Sequence, residues 1–182
     1  MNVNDALSLI KNDRILLNKE ITRWADLGCG TGLFSQALSR MLQPGSSIYG
    51  IDNNRSLKRQ TTPDGVEIIP LQLDFVTGDW GQQDLDGIVM ANAFHYVKDK
   101  SAFLKKAQTY LKSQASILIV EYDTDIAVPT WVPYPLRFTS LTQLFTGAGY
   151  TSIQRLGEKP SIYGGGNIYG ALILAGENTA GY

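Results

Sequence analysis

Arg23-Trp24-Ala25-Asp26-Leu27-Gly28-Cys29-Gly30-Thr31-Gly32-Leu33-Phe34-Ser35-Gln36-Ala37-Leu38 is the stretch that decides the fold. An apolar run carrying one acid, Trp24 to Leu27, enters three glycines spaced two apart. Leu33, Phe34, Ala37, Leu38, Met41 and Leu42 then recur at helical spacing. That order reads strand, tight loop, helix. Glycine has no side chain, so the loop backbone can approach a ligand closely, and the helix starts with its positive end aimed at the same place. A small ligand is expected to lie across this turn.

The spacing narrows the ligand. Dinucleotide enzymes usually show G-x-G-x-x-G, whereas Gly28, Gly30 and Gly32 form G-x-G-x-G with Asp26 just ahead. A second acid, Asp52, ends the next apolar run about 20 residues beyond the last loop glycine, where such folds hold a ribose. Together these residues resemble motif I of the class I S-adenosylmethionine-dependent methyltransferases, close to D-x-G-C-G-T-G. The resemblance implies that Gly28, Cys29, Gly30 and Gly32 wrap the methionine end of the donor and that Asp26 helps hold its amino group. It also sets Asp52, with Asn53 beside it, against the ribose, and it implies S-adenosylmethionine as cofactor and S-adenosylhomocysteine as its product.

Size and charge bound the rest. A chain of 182 residues suits one domain, with a helical extension over 1–20, a core over 22–175 and a tail over 176–182. Sixteen basic residues against 17 acidic ones leave a net charge of −1, scattered along the chain, so no nucleic-acid footprint is visible and a small-molecule acceptor is expected. The single cysteine, Cys29, excludes a disulfide framework and reads as a packing residue of the loop, which suits a reducing, cytoplasmic setting. No apolar run is long enough for a membrane span. A monomer or homodimer is expected, with no metal site, because one histidine and one cysteine form no ligand pattern.

Along the chain, Val3 to Glu20 predicts one or two short amphipathic helices that pack on the sheet or lid the site. The first strand covers about Thr22 to Leu27, and its helix runs from about Gly32 to Leu42 and stops at Pro44-Gly45. Ser47 to Asp52 follows as a strand, Asn53, Asn54 and Arg55 open a short helix to about Gln60, and Thr62-Pro63-Asp64-Gly65 makes a turn. Val66 to Leu73 is the third strand. Asp74-Phe75 closes it at the same sheet edge as Asp26 and Asp52, and the resemblance gives the Asp74 carboxylate and the Phe75 amide the role of reading the adenine.

Asp86 to Val97 is the fourth strand and its exit, and Asp86-Gly87-Ile88 through Asn92-Ala93-Phe94-His95-Tyr96 resembles motif IV of the same family. There the strand end at Asn92 implies backbone carbonyls against the donor's amino acid part. Asp99 caps a helix bearing Phe103, Leu104, Ala107, Tyr110 and Leu111 on its core face. Ala115 to Val120, apolar without alternation, reads as a central strand ending in Glu121-Tyr122-Asp123. Prolines 129, 133 and 135 bar regular structure from Asp125 to Phe138, and its aromatics mark it as a substrate wall. Ser140 to Gln143 looks like a capping box for a helix through about Ala148, stopped by Gly149. Thr151 to Leu156 and Ile168 to Ala175 close the sheet, joined by a loop containing Gly164-Gly165-Gly166-Asn167.

The expected architecture is therefore α/β: a doubly wound, mainly parallel seven-stranded sheet with helices on both faces and an antiparallel last strand, Rossmann-like in the manner of methyltransferases. Methyl transfer from a sulfonium is an in-line displacement at an activated carbon, so positioning in a dry site does most of the work. A base is needed only if the acceptor must lose a proton. His95, the only histidine, stands just past the fourth strand and is the candidate base, with a hydrogen bond to a neighbouring loop as its structural alternative. Glu121 and Asp79 are its alternatives. Glu121, Trp131, Tyr134, Arg137 and Tyr163 are candidates for the acceptor pocket, or else ordinary packing and solvated residues. Two rival functions share these features, a nicotinamide-dependent oxidoreductase and a methyltransferase-like protein that binds the donor without turnover; the G-x-G-x-G spacing and the Asp74-Phe75 pair argue against the first.

Overall fold

The structure, a computed structural model, describes residues 1–54, 56–161 and 166–175. Arg55, Tyr163, Gly164, Gly165 and the 176–182 tail lie outside the described residues. Among the described residues eight strands form one sheet: β1 (Arg23–Leu27), β2 (Ser47–Asp52), β3 (Gln60–Thr61), β4 (Glu67–Gln72), β5 (Leu85–Ala91), β6 (Leu111–Tyr122), β7 (Tyr150–Pro160) and β8 (Asn167–Ala175). Their order across the sheet is β3-β4-β2-β1-β5-β6-β8-β7. Strands β4, β2, β1, β5 and β6 run parallel, while β8 is antiparallel to both β6 and β7. The expected seven-stranded, mainly parallel sheet with its antiparallel last strand is present, and the eighth strand is the two-residue β3 paired antiparallel to β4.

Period-two alternation along the central strands sorts residues between two cores. Ala25, Leu27, Ile88, Met90, Ile117 and Ile119 face one side, under α4 (Lys100–Gln108) and α5 (Phe138–Gly147). Trp24, Val89, Leu118 and Val120 face the other, under α1 (Val3–Ile10), α2 (Asp13–Leu16) and α3 (Leu33–Ser39). Burial on both faces is why β5 and β6 read as unbroken apolar runs. The N-terminal segment packs on the sheet: a side chain at Gly170 of β8 would strike the Leu9 carbonyl at 1.7 Å, so α1 lies directly on the β8 backbone.

Two local expectations are corrected. No helix follows β2 among the described residues; Asn53 and Asn54 bend, and 56–59 are irregular up to β3. The Asp52 Oδ1 accepts from the Asn54 amide two residues on, 2.9 Å away, a turn that leads away from helix. Leu57 then inserts over Gly50 and Gly32. Helix α5 begins at Phe138 rather than at a Ser140 capping box. Its first amides are capped from a distance, Arg137 N–H by Asp125 Oδ1 (3.0 Å) and Phe138 N–H by Asp123 Oδ1 (2.9 Å), which sequence spacing cannot reveal.

Candidate functional site

The parallel strands deliver their C-terminal ends to one edge, and the glycine loop follows β1 there. The Gly28 and Cys29 amides both donate to the Ile51 carbonyl, Gly30 N–H donates to Asp52 Oδ2 at 2.9 Å, and Gly32 N–H donates to the Cys29 carbonyl. These four loop amides hold the loop to itself and to β2. Glycine is required for other reasons. At Gly28 (φ +75°) a side chain would meet the Ala93 methyl at 2.6 Å, so this position lets the β5 exit close against the loop. At Gly30 (φ +52°) nothing lies within 4 Å, so the loop is open to a ligand there.

The three acids do not stand equivalently. Asp26 pairs with Gly50 across the β1–β2 register, two steps before Asp52, and is only 1% exposed. Its Oδ2 accepts from the Ser35 hydroxyl at 2.6 Å, and burial raises its pKa to about 7, opposed by the Ser35 hydrogen bonds and helped by the Asp52 charge. Asp26 is thus a buried brace between β1 and α3 rather than a group at the crevice surface. Asp52, at the strand tip, accepts from the Gly30 and Asn54 amides, which leaves acceptor capacity on both oxygens. Asn53 beside it accepts from the Gln72 side chain through its carbonyl. Burial pushes the Cys29 thiol up, reinforced by the Asp26 and Asp52 charges, so it stays protonated and packs beneath Gly50.

Asp74 Oδ1 accepts from the Val76 and Thr77 amides at 2.7 and 3.3 Å. Partial burial acts to raise its pKa, but those hydrogen bonds and the Lys106 charge outweigh it and hold the carboxyl below its ordinary value. The loop it opens is clamped from α4 by the Lys106 ammonium, which donates to the carbonyls of Phe75, Val76 and Gly78 at 3.1, 2.8 and 2.5 Å. Sequence reading missed Lys106 because its partners lie 28 to 31 residues away. The Phe75 ring leans on Gly28 and meets Phe103 edge-on.

Beyond β5, Asn92 takes a left-handed backbone (φ +52°), a conformation asparagine tolerates better than most residues. Its Oδ1 and the His95 Nε2 are buried with no hydrogen-bond partner among the described residues. His95 itself is held twice by Glu121 at the end of β6: its amide donates to Oε1 at 3.0 Å and its Nδ1 lies 2.8 Å from Oε2. Both residues are buried, at 2% and 1% exposure. Because a carboxylate only accepts, Nδ1 carries a hydrogen, and in the neutral imidazole Nε2 is then the acceptor.

A cavity of about 760 Å³ opens here, lined by Asn92, His95, Tyr96, Tyr122, Asp123, Thr124, Ile126, Val128, Trp131, Val132, Ser161, Gly166 and Asn167. Of the residues expected at the acceptor, Trp131 lines it, and Glu121 lies behind His95. Tyr134 and Arg137 do not line it. Tyr134 N–H donates to the His95 carbonyl and its own carbonyl accepts from Lys100, while Arg137 pairs with Asp125 at 2.7 Å. Asp79 is elsewhere as well, accepting from the Tyr110 hydroxyl and the Gly81 amide. Asp123, at the strand end that the sequence marked with Glu121 and Tyr122, lines the cavity, and Thr124 beside it was not anticipated.

Residues 5–159 match a protein family described as a methyltransferase domain. No curated protein matches significantly by sequence. Among solved structures, the chain resembles the 1,6-didemethyltoxoflavin-N1-methyltransferase of Burkholderia thailandensis, crystallised with 1,6-didemethyltoxoflavin and S-adenosylhomocysteine, at 13% identity and a TM-score of 0.68, over 96% of this chain and 78% of that one. A SAM-dependent methyltransferase from Aquifex aeolicus gives 15% identity and a TM-score of 0.59 over 97% and 100%. A candidate O-methyltransferase from Nostoc punctiforme gives 16% and 0.63 over 93% of this chain, which spans only 56% of the length of that protein. At these identities the likeness is one of fold.

Proposed function

The chain belongs to the methyltransferase-domain family, and from that premise we propose that it transfers the methyl group of S-adenosylmethionine to a small-molecule acceptor. The observation that carries this reading is a juxtaposition: the open face of the loop at Gly30 and the Asp52 carboxylate lie at the same sheet edge as the cavity that holds His95. The residues suit the donor. Gly30 leaves room where a side chain would intrude, and Asp52 retains acceptor positions for two ribose hydroxyls. Asn92 Oδ1 is a buried acceptor in need of a donor such as the donor's ammonium. Asp74 and the Phe75 backbone serve the adenine edge, and Asn53 flanks the ribose.

When bound, the donor supplies an activated methyl carbon. The chain's own work is to hold it over Gly28, Cys29, Gly30 and Gly32, to shape the loop from behind through Asp26 and Ser35, and to set an acceptor in the adjoining cavity against Trp131. His95 takes a proton where the acceptor has one to lose. Isothermal titration with S-adenosylmethionine and S-adenosylhomocysteine tests the reading. Binding is expected for both, and Asp52→Ala should lose about 1–3 kcal/mol of affinity with the ribose hydrogen bonds. No binding to the unaltered protein overturns the proposal, and an unaltered affinity in Asp52→Ala overturns the placement of the ribose.

A further inference from the structure

Resting on that reading, we propose that the acceptor is an uncharged aromatic ring bearing a hydroxyl group, with His95 as the base that removes its proton and Glu121 as the residue that positions His95. Three observations meet in the cavity. Tyr96, Tyr122, Trp131 and Val132 give it flat, apolar walls, which suit a planar ring. No lysine or arginine is among its described lining residues. The one carboxylate among those described residues, Asp123, is already matched by Arg155 and by the Phe138 amide. An anionic acceptor would find no cation, and a cationic one would find no unbalanced anion. An uncharged ring remains.

The polar equipment then names the reacting group. His95 Nε2 is buried, partnerless among the described residues and, with Nδ1–H directed at Glu121, an acceptor. A buried acceptor calls for a ligand that donates a hydrogen bond. A hydroxyl does so, and it needs a base, because a neutral hydroxyl oxygen attacks a methyl group poorly until its proton leaves. In the step, the hydroxyl proton moves to Nε2, the oxygen–carbon bond forms as the carbon–sulfur bond of the donor breaks, and the bonding pair stays on sulfur. The imidazolium so formed faces the Glu121 carboxylate at 2.8 Å, which offsets its charge until the proton passes to solvent.

The test begins with the donor titration, since failure there removes the methyltransferase reading itself. Given donor binding, a set of one- to three-ring phenols is compared with the same rings bearing a carboxylate, an aliphatic ammonium or a thiol, and the methylated atom is identified by mass spectrometry and NMR. Methylation on the phenolic oxygen is expected. Transfer to the charged or thiol rings alone, or to none of the rings, overturns the inference while leaving donor binding in place. His95→Gln should lower kcat by about 10²–10⁴-fold with the donor affinity unchanged.

A readout independent of turnover comes from the ring nitrogens of the protein's one histidine, observed by ¹⁵N NMR on the unaltered chain. Nδ1–H with an unprotonated Nε2 is expected at high pH. The opposite tautomer overturns the role of Glu121, as does a Glu121→Gln variant that keeps both the tautomer and the pH profile of kcat.

Discussion

Asp26 is a carboxyl group shut away from water beside Ser35, whose hydroxyl and backbone both hydrogen-bond it. Its folded pKa, about 7 through burial, lies above the ordinary 3.8. The folded state therefore holds this proton over a range where the unfolded chain has released it. The stability it contributes is complete below about pH 4, falls as pH rises and is gone above about pH 7. In Asp26→Asn the Ser35 hydroxyl still finds an oxygen, but no charge is buried. Urea unfolding should show the difference in stability between about pH 5 and about pH 8 shrinking by on the order of 2 kcal/mol relative to the unaltered protein. An equal pH dependence in the two proteins would mean that Asp26 is ionised without cost. The sequence marked Asp26 as important, but only the β1–β2 register shows that it stands two steps behind Asp52 and braces the loop.

Among the elements, the loop after β4 and the strap before α5 illustrate structure imposed from a distance. Asp74 caps its own turn, yet the loop's carbonyls converge on Lys106 of α4. Lys106→Met keeps the aliphatic stem and removes three hydrogen bonds. It should cost about 1–2 kcal/mol of stability and weaken donor binding several-fold without altering the acceptor KM. Chemical denaturation and donor titration check this, and an unchanged donor affinity would separate the loop from the adenine. The strap is fixed at its end by Asp123 and Asp125 on the first amides of α5 and by the Tyr134 amide on the His95 carbonyl. Between these points Trp131 remains 64% exposed, so Trp131→Ala should leave stability within about 0.5 kcal/mol. In the same variant the acceptor KM should rise about ten-fold, measured by steady-state kinetics, through loss of a flat apolar wall. The prolines disclosed that this segment is irregular; that it tucks Tyr134 toward Lys100, 34 residues away, and sets Trp131 at the cavity only the tertiary structure shows.

At the scale of the whole molecule, one twisted sheet buried on both faces brings loops from β1, β2, β4, β5 and β6 to a common edge. A ligand bridging several of them should stabilise all of them together. Saturation with S-adenosylhomocysteine at about 100 times its Kd should add about 2.7 kcal/mol. For a chain of this size that means about 5–10 °C in Tm by calorimetry, and a shift confined to one loop's protection in hydrogen exchange would contradict a shared site.

Local chemistry made the strand-loop-helix at Trp24 to Leu38 and the parallel core strands legible, because glycine spacing, apolar periodicity and turn residues act within a few positions. By itself the sequence therefore determined the α/β class, the position of the glycine loop and the membership of Asp52 and His95 in one sheet edge. Only the tertiary structure decided that Asp26 lies buried, that Glu121 orients His95 and that Tyr134 and Arg137 miss the cavity. Those outcomes follow from burial and from hydrogen bonds between groups 12 to 34 residues apart, which no local pattern encodes.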